Sequence, residues 1–180
     1  MMIISVIAAI LVLAFYLSMN AANIYVLLSD GMKQRTAVIL TRDPEDASEL
    51  NNFFMKDFLE NDEALRIGYS QDSPYLDYNI TGFDSEVTLE WVWSWPWDDV
   101  AQATIVHKVP SIRGTIVSGK SEQVKAGTMS ASPPSWHGGR YNMQLYRSGG
   151  QWKIAGMVQT QVLVDQTPIP NPTLTPTAQP

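Results

Sequence analysis

No cysteine occurs in the 180 residues. That excludes disulfides, thiolate zinc sites, iron–sulfur clusters, a cysteine nucleophile and the lipidated cysteine of a lipoprotein. Histidine is nearly as scarce, with only His107 and His137. Neither stands at a metal-ligand spacing such as His-x-x-x-His. His107 shares a strand face with Ile105 and Val109, and His137 lies in the loop Ser135-Trp136-His137-Gly138-Gly139. Catalytic signatures are missing as well. No Gly-x-Ser-x-Gly elbow is present, Ser135 and His137 are too close for a triad, and Gly138-Gly139 and Gly149-Gly150 read as turn glycines. Asp98 and Asp99 could pair as carboxylates, but nothing places them near a histidine. The expectation is a non-enzymatic chain with no cofactor and no metal. Positive charge is also short, with 12 Lys+Arg against 18 Asp+Glu and a net charge of −6. This argues against a nucleic-acid partner and against broad adhesion to anionic lipid.

The most informative absence is local. Met1 to Leu28 contains no charged side chain, and the first formal charge is Asp30. A bilayer core needs about 20 apolar residues, so residues 1–28 form an expected transmembrane anchor. Lys and Arg are absent before Lys33, and the apolar run continues past the small-residue pattern at Ala14 to Ala22. These features favour a retained single-pass anchor over a cleaved signal peptide. Asn20 and Asn23 are three apart and share a helix face, among Ser5, Ala8, Ala9, Ala14, Ser18, Ala21 and Ala22. Two readings follow: both amides sit near the headgroups, with Tyr16 and Tyr25 as interface residues, or the small and amide residues pack on other helices, which makes Asn20 and Asn23 the expected partner contacts. Lys33, Arg35 and Arg42 favour a cytoplasmic C-terminal side. The acidic balance and the Pro/Thr tail favour an extracytoplasmic domain at a cell (inner) membrane, and we take that side.

Residues 29–42 read as a juxtamembrane connector, with Asp30-Gly31 as a helix stop or tight turn and the helix ending near Gly31 or resuming to Gln34, in preference to two strands at Ile24–Leu28 and Thr36–Leu40. Asp43-Pro44-Glu45-Asp46 is a helix start: a capping aspartate, proline at the first position and acids at the positive end of the dipole. Ala47, Leu50, Phe54 and Phe58 then line one face, predicting a helix from Pro44 to Glu60, with a second short helix within Asn61 to Gly68. Tyr69 to Asp84 reads as loop. From Glu86 the pattern has period two, and further strands are expected at Ala101–Val109, Arg113–Val117, Gln123–Met129, Arg140–Arg147 and Gln151–Val164. Ser148-Gly149-Gly150 predicts a hairpin. The domain is thus 43–165, and residues 166–180 form a Pro/Thr-rich extended tail.

A helix opened by Asp43-Pro44-Glu45-Asp46-Ala47 and carrying Phe53, Phe54 and Phe58 comes first. Strands follow, closing on the Tyr141 to Ile154 hairpin with its Gly-Gly-Gln-Trp-Lys-Ile run. This order resembles the nuclear-transport-factor-2-like superfamily. The resemblance implies an α+β cone fold, a long helix packed on a curved antiparallel sheet, over about Asp43 to Val164. It implies little about activity, since the superfamily hosts enzymes, transport factors and membrane-anchored assembly subunits, among them an inner-membrane scaffold component of type IV secretion systems.

Trp91, Trp93, Trp95 and Trp97 alternate. Trp91 and Trp93, with Phe54, Phe58 and Trp152, are expected to fill the core. Trp95 and Trp97, beside Pro96, Asp98 and Asp99, are expected to form an exposed partner-contact rim. The functional expectation is an accessory or structural subunit of a secretion, respiratory or photosynthetic membrane complex, with membrane-protein subunits and the bilayer as partners. The alternative is an anchored module binding a small apolar molecule or a sugar in the cone cavity.

Overall fold

The computed structural model describes residues 2–164, so the tail at 166–180 lies outside the described residues. Helix α1 (Met2–Thr41) is a single unbroken rod. It is followed by three short helices, α2 (Pro44–Phe53), α3 (Lys56–Asn61) and α4 (Glu63–Tyr69). Strands β1 (Tyr78–Trp93) and β2 (Val100–Ile116), a one-turn helix α5 (Ser121–Lys125), and strands β3 (Gly138–Ser148) and β4 (Gln151–Leu163) complete the chain. The strands form one antiparallel sheet in the order β1-β2-β3-β4. The architecture is α+β, with a long apolar N-terminal helix and a four-stranded antiparallel sheet.

The connector at 29–42 is helical, which corrects the helix stop expected at Gly31. A glycine inside a helix costs only about 1 kcal/mol relative to alanine. Here it permits a close crossing: a Cβ on Gly31 would stand 3.2 Å from Ile154 Cδ1 and 3.2 Å from Phe53 Cβ. Ile24, Leu28, Met32 and Ile39 place a buried stripe on the same helix. The long helix packed on the sheet is therefore the second half of α1 rather than residues 44–60. α1 ends where Arg42 adopts a left-handed φ of 59° before Pro44, which cannot continue the rod. Asp43 then caps α2, its carboxylate accepting from the Glu45 N–H at 2.8 Å.

The helix expected over 44–60 is broken at Phe54, which forms a parallel bridge with Ile154. Met55 N–H donates to the Ile154 carbonyl at 2.8 Å, so tertiary pairing replaces one turn of helix. Phe54 is fully buried and stacks on the partly buried Phe58, with ring centroids 5.3 Å apart. Three further expectations change. β1 begins within the stretch read as loop, β2 runs unbroken from Val100 to Ile116, and the strand expected at Gln123–Met129 is α5 and irregular chain. The hairpin stands as read, with Gly149 and Gly150 at φ 60° and 81°.

The close crossing at Gly31 yields a test. Gly31→Val pushes branched carbons into Ile154 and Phe53 and lowers stability by about 1–3 kcal/mol. Gly31→Ala comes out close to neutral, because a helix-propensity gain of about 1 kcal/mol offsets the displaced neighbours. The check is the urea midpoint of the detergent-solubilised chain at unchanged m value.

Candidate functional site

Two places gather the functional side chains. The first is the junction where α1 enters the domain. Residues 2–19 of α1 are exposed except for the half-buried Leu17, and Asn20 is the first buried residue. Its carboxamide is a hub. Asn20 Oδ1 accepts from Trp152 Nε1 at 2.9 Å and from Arg147 Nη2 at 3.4 Å, while Nδ2 donates to Ser94 Oγ at 3.1 Å. The Arg147 guanidinium lies over the Trp152 ring at 4.5 Å and reaches the Pro96 carbonyl. Asn20 is therefore satisfied within its own chain, which corrects its expected role as a contact with other helices. Asn23 lies exposed, so the two amides do not act together. The expected core residue Trp152 is buried, as part of this hub.

The tryptophan ladder is arranged differently from its alternation. Leu89 pairs with Ile105 but Trp91 pairs with Thr104, so Glu90 is an extra residue in β1. A bulge of one residue exchanges the two faces of everything beyond it. Val87 and Leu89 face the helices before the bulge, and Val92 does so after it. Trp91 and Trp93 turn outward, 49% and 53% exposed, instead of filling the core. Trp93 meets Trp95 edge-on at 5.3 Å, and Trp95 stacks on Trp97 at 5.2 Å and 10°. Trp95 is half-buried in this row, and Trp97 is 67% exposed at its end.

The second place is an open cleft of about 680 Å³ between α3–α4 and the sheet. Phe58, Ile67, Trp136, Met157 and Val162 give it apolar walls, and Tyr141, Gln159 and His137 add polar groups. At its base Arg35 and Asp62 form a two-pronged ion pair, Nε to Oδ2 at 2.6 Å and Nη2 to Oδ1 at 2.8 Å, with both side chains buried. Asp62 also caps α4, Oδ1 accepting from Ala64 and Leu65 N–H groups. Burial is the main influence on the Tyr141 phenol and raises its pKa; the Arg35 charge opposes that and Asp62 reinforces it. His107 is fully buried; its Nε2 lies 3.1 Å from Ser85 Oγ, and its Nδ1 has no hydrogen-bond partner among the described residues. Burial first, and the Arg35 charge second, push the imidazole pKa down to about 4.

Asp62 and Arg35 are committed to each other. No group of three or more His, Asp or Glu suited to a metal ion occurs among the described residues. Asp98 and Asp99 sit in the β1–β2 loop at the junction, away from the cleft. Sequence reading missed Arg35, Asp62, Ser94 and Arg147. Arg35 was detectable in principle: it continues the stripe of Ile24, Leu28 and Met32 once α1 is allowed past Gly31. Comparison with known protein families, with characterised proteins and with solved structures finds no match.

Proposed function

We propose that the chain is a non-catalytic, single-span subunit of a larger membrane protein complex, of secretion, respiratory or photosynthetic type. Its domain stands on the extracytoplasmic side of a cell (inner) membrane and follows the nuclear-transport-factor-2-like plan. The observation that carries this reading is the continuity of α1. The helix passes from an exposed apolar stretch long enough to span a bilayer into the domain core with no linker. A mere tether needs no such rigidity. A helix that is also the core of its domain sets the height and tilt of that domain over the membrane, as a scaffold position requires. Helices on one face of a four-stranded meander, with an open cleft between, support the fold assignment. The exposed Asn23 and the apolar flank of residues 2–19 are the surfaces open to neighbouring subunits.

The cleft favours a second reading, an anchored module that binds a small apolar molecule or a sugar. Its apolar walls and few polar groups are the usual make-up of such a site. Native mass spectrometry of the chain extracted in mild detergent separates the two. The expected result is a defined stoichiometric assembly with integral membrane proteins. A monomer at every detergent concentration overturns the subunit reading, and a monomer carrying a bound small molecule establishes the second.

A further inference from the structure

We infer that the Trp93–Trp95–Trp97 row is a membrane-seating rim, which lies in the headgroup layer of the bilayer that holds α1. The inference rests on the anchoring reading above and adds a second, independent contact with the lipid.

The argument is one of height. Residues 2–19 of α1 rise about 27 Å, against a hydrocarbon core of about 30 Å. Asn20, the first buried residue, therefore stands at the boundary between hydrocarbon and headgroups. Asn20 Nδ2 donates to Ser94, which places the end of β1 at the same height. Trp93 shares a groove of about 280 Å³ with Leu17, Ser18 and Ala21, the last turn of the apolar stretch. Tyr16, half-exposed, precedes Leu17 on α1. The exposed apolar surface of the helix thus continues directly onto the rim.

The chemistry fits that layer. Indole rings with one polar N–H are favoured where an apolar side meets a wet one. Such rings are poorly matched to open water, yet Trp93 and Trp97 are left more than half exposed by the fold. The loop is also held rigidly. Arg147 N–H donates to the Asp99 carbonyl at 2.8 Å, its guanidinium reaches the Pro96 carbonyl, and Asp98 N–H closes a turn onto Trp95. A pinned loop loses little conformational freedom when it enters the interface. Asp98 and Asp99 flank the rim and Arg147 is engaged by Asn20 and Trp152, so the surface suits zwitterionic headgroups rather than anionic ones.

The test uses the full chain in phosphatidylcholine vesicles, with and without bromine near the headgroup end of the acyl chains. Bromine quenches indoles at that depth, and iodide quenches those open to water. The rim supplies three of the six tryptophans. The expected result is that brominated lipid removes about half of the emission, and that Trp93→Phe with Trp97→Phe abolishes most of this loss. Trp91→Phe, two residues up the strand on the outer face, leaves it unchanged and reduces iodide quenching instead. A chain that floats with the vesicles while iodide reaches its rim and bromine does not overturns the inference alone. A rim shielded from both quenchers points to a second copy of the chain covering it, and overturns the inference as well. A chain that does not float with vesicles overturns the anchoring reading itself.

Discussion

Replacing Asp62 by alanine lowers the stability of the domain by about 3–5 kcal/mol. The Arg35 guanidinium is held by both carboxylate oxygens, in a setting where neither side chain is more than 5% exposed. Removing the acid leaves a cation that is almost wholly buried with its two charge-assisted hydrogen bonds broken. The same carboxylate caps α4, and loss of a cap costs about a further 1 kcal/mol. The size of the effect does not mean that the pair itself stabilises the fold by that amount. Two ions taken out of water lose hydration that their attraction only roughly repays, so Arg35→Met combined with Asp62→Leu comes out within about 1–2 kcal/mol of wild type. Urea unfolding of the full chain in detergent, followed by tryptophan emission, checks both. A single variant that costs less than about 1 kcal/mol shows that the buried cation finds another partner.

Acid destabilises the domain between pH 6.5 and pH 4, by up to roughly 3 kcal/mol, through His107. The sign follows from proton counting. In the fold the imidazole takes up a proton only near pH 4, because burial and the Arg35 charge both disfavour the cation. In the unfolded chain it does so near its ordinary value of 6.5. Between these values the unfolded state binds the extra proton, so stability is complete above pH 6.5, falls through the window and levels off below pH 4. His107→Phe removes the titration and the nitrogen left without a partner, and its stability changes less over the same window. Denaturation midpoints at half-unit pH steps give the two slopes. Equal slopes in wild type and variant assign the acid response to other groups. The Arg35 charge is the second cause of the lowered pKa, so neutralising the Arg35–Asp62 pair raises the folded value and narrows the window from its acid end.

Several elements were legible because their signals are local. The uncharged stretch from Met1 to Leu28 announces an exposed apolar helix, and residues 2–19 are exposed almost throughout. Asp43-Pro44 starts a helix through its own side chain and ring, and the Gly149-Gly150 turn requires φ values that glycine adopts freely. Period-two alternation places β1 through β4 to within a few residues, apart from the start of β1 and the unbroken run of β2. The candidate site was less legible, because each of its parts depends on distant chain. Asn20 meets Trp152 across 132 positions, and Arg35 meets Asp62 across 27.

The sequence by itself thus determined the membrane-length helix, the α+β class and the closing hairpin, each set by propensities acting within about one turn or one strand. Tertiary structure decided the rest. A single residue inserted at Glu90 turned Trp91 and Trp93 from the expected core to the surface, because side chains in a strand alternate and register is set by the partner strand. Packing against Ile154 and Phe53 carried α1 through Gly31, where sequence read a stop. Pairing with Ile154 broke the helix expected at Phe54. Burial converted Asn20 from a contact for other helices into the hub that fixes the domain on its own.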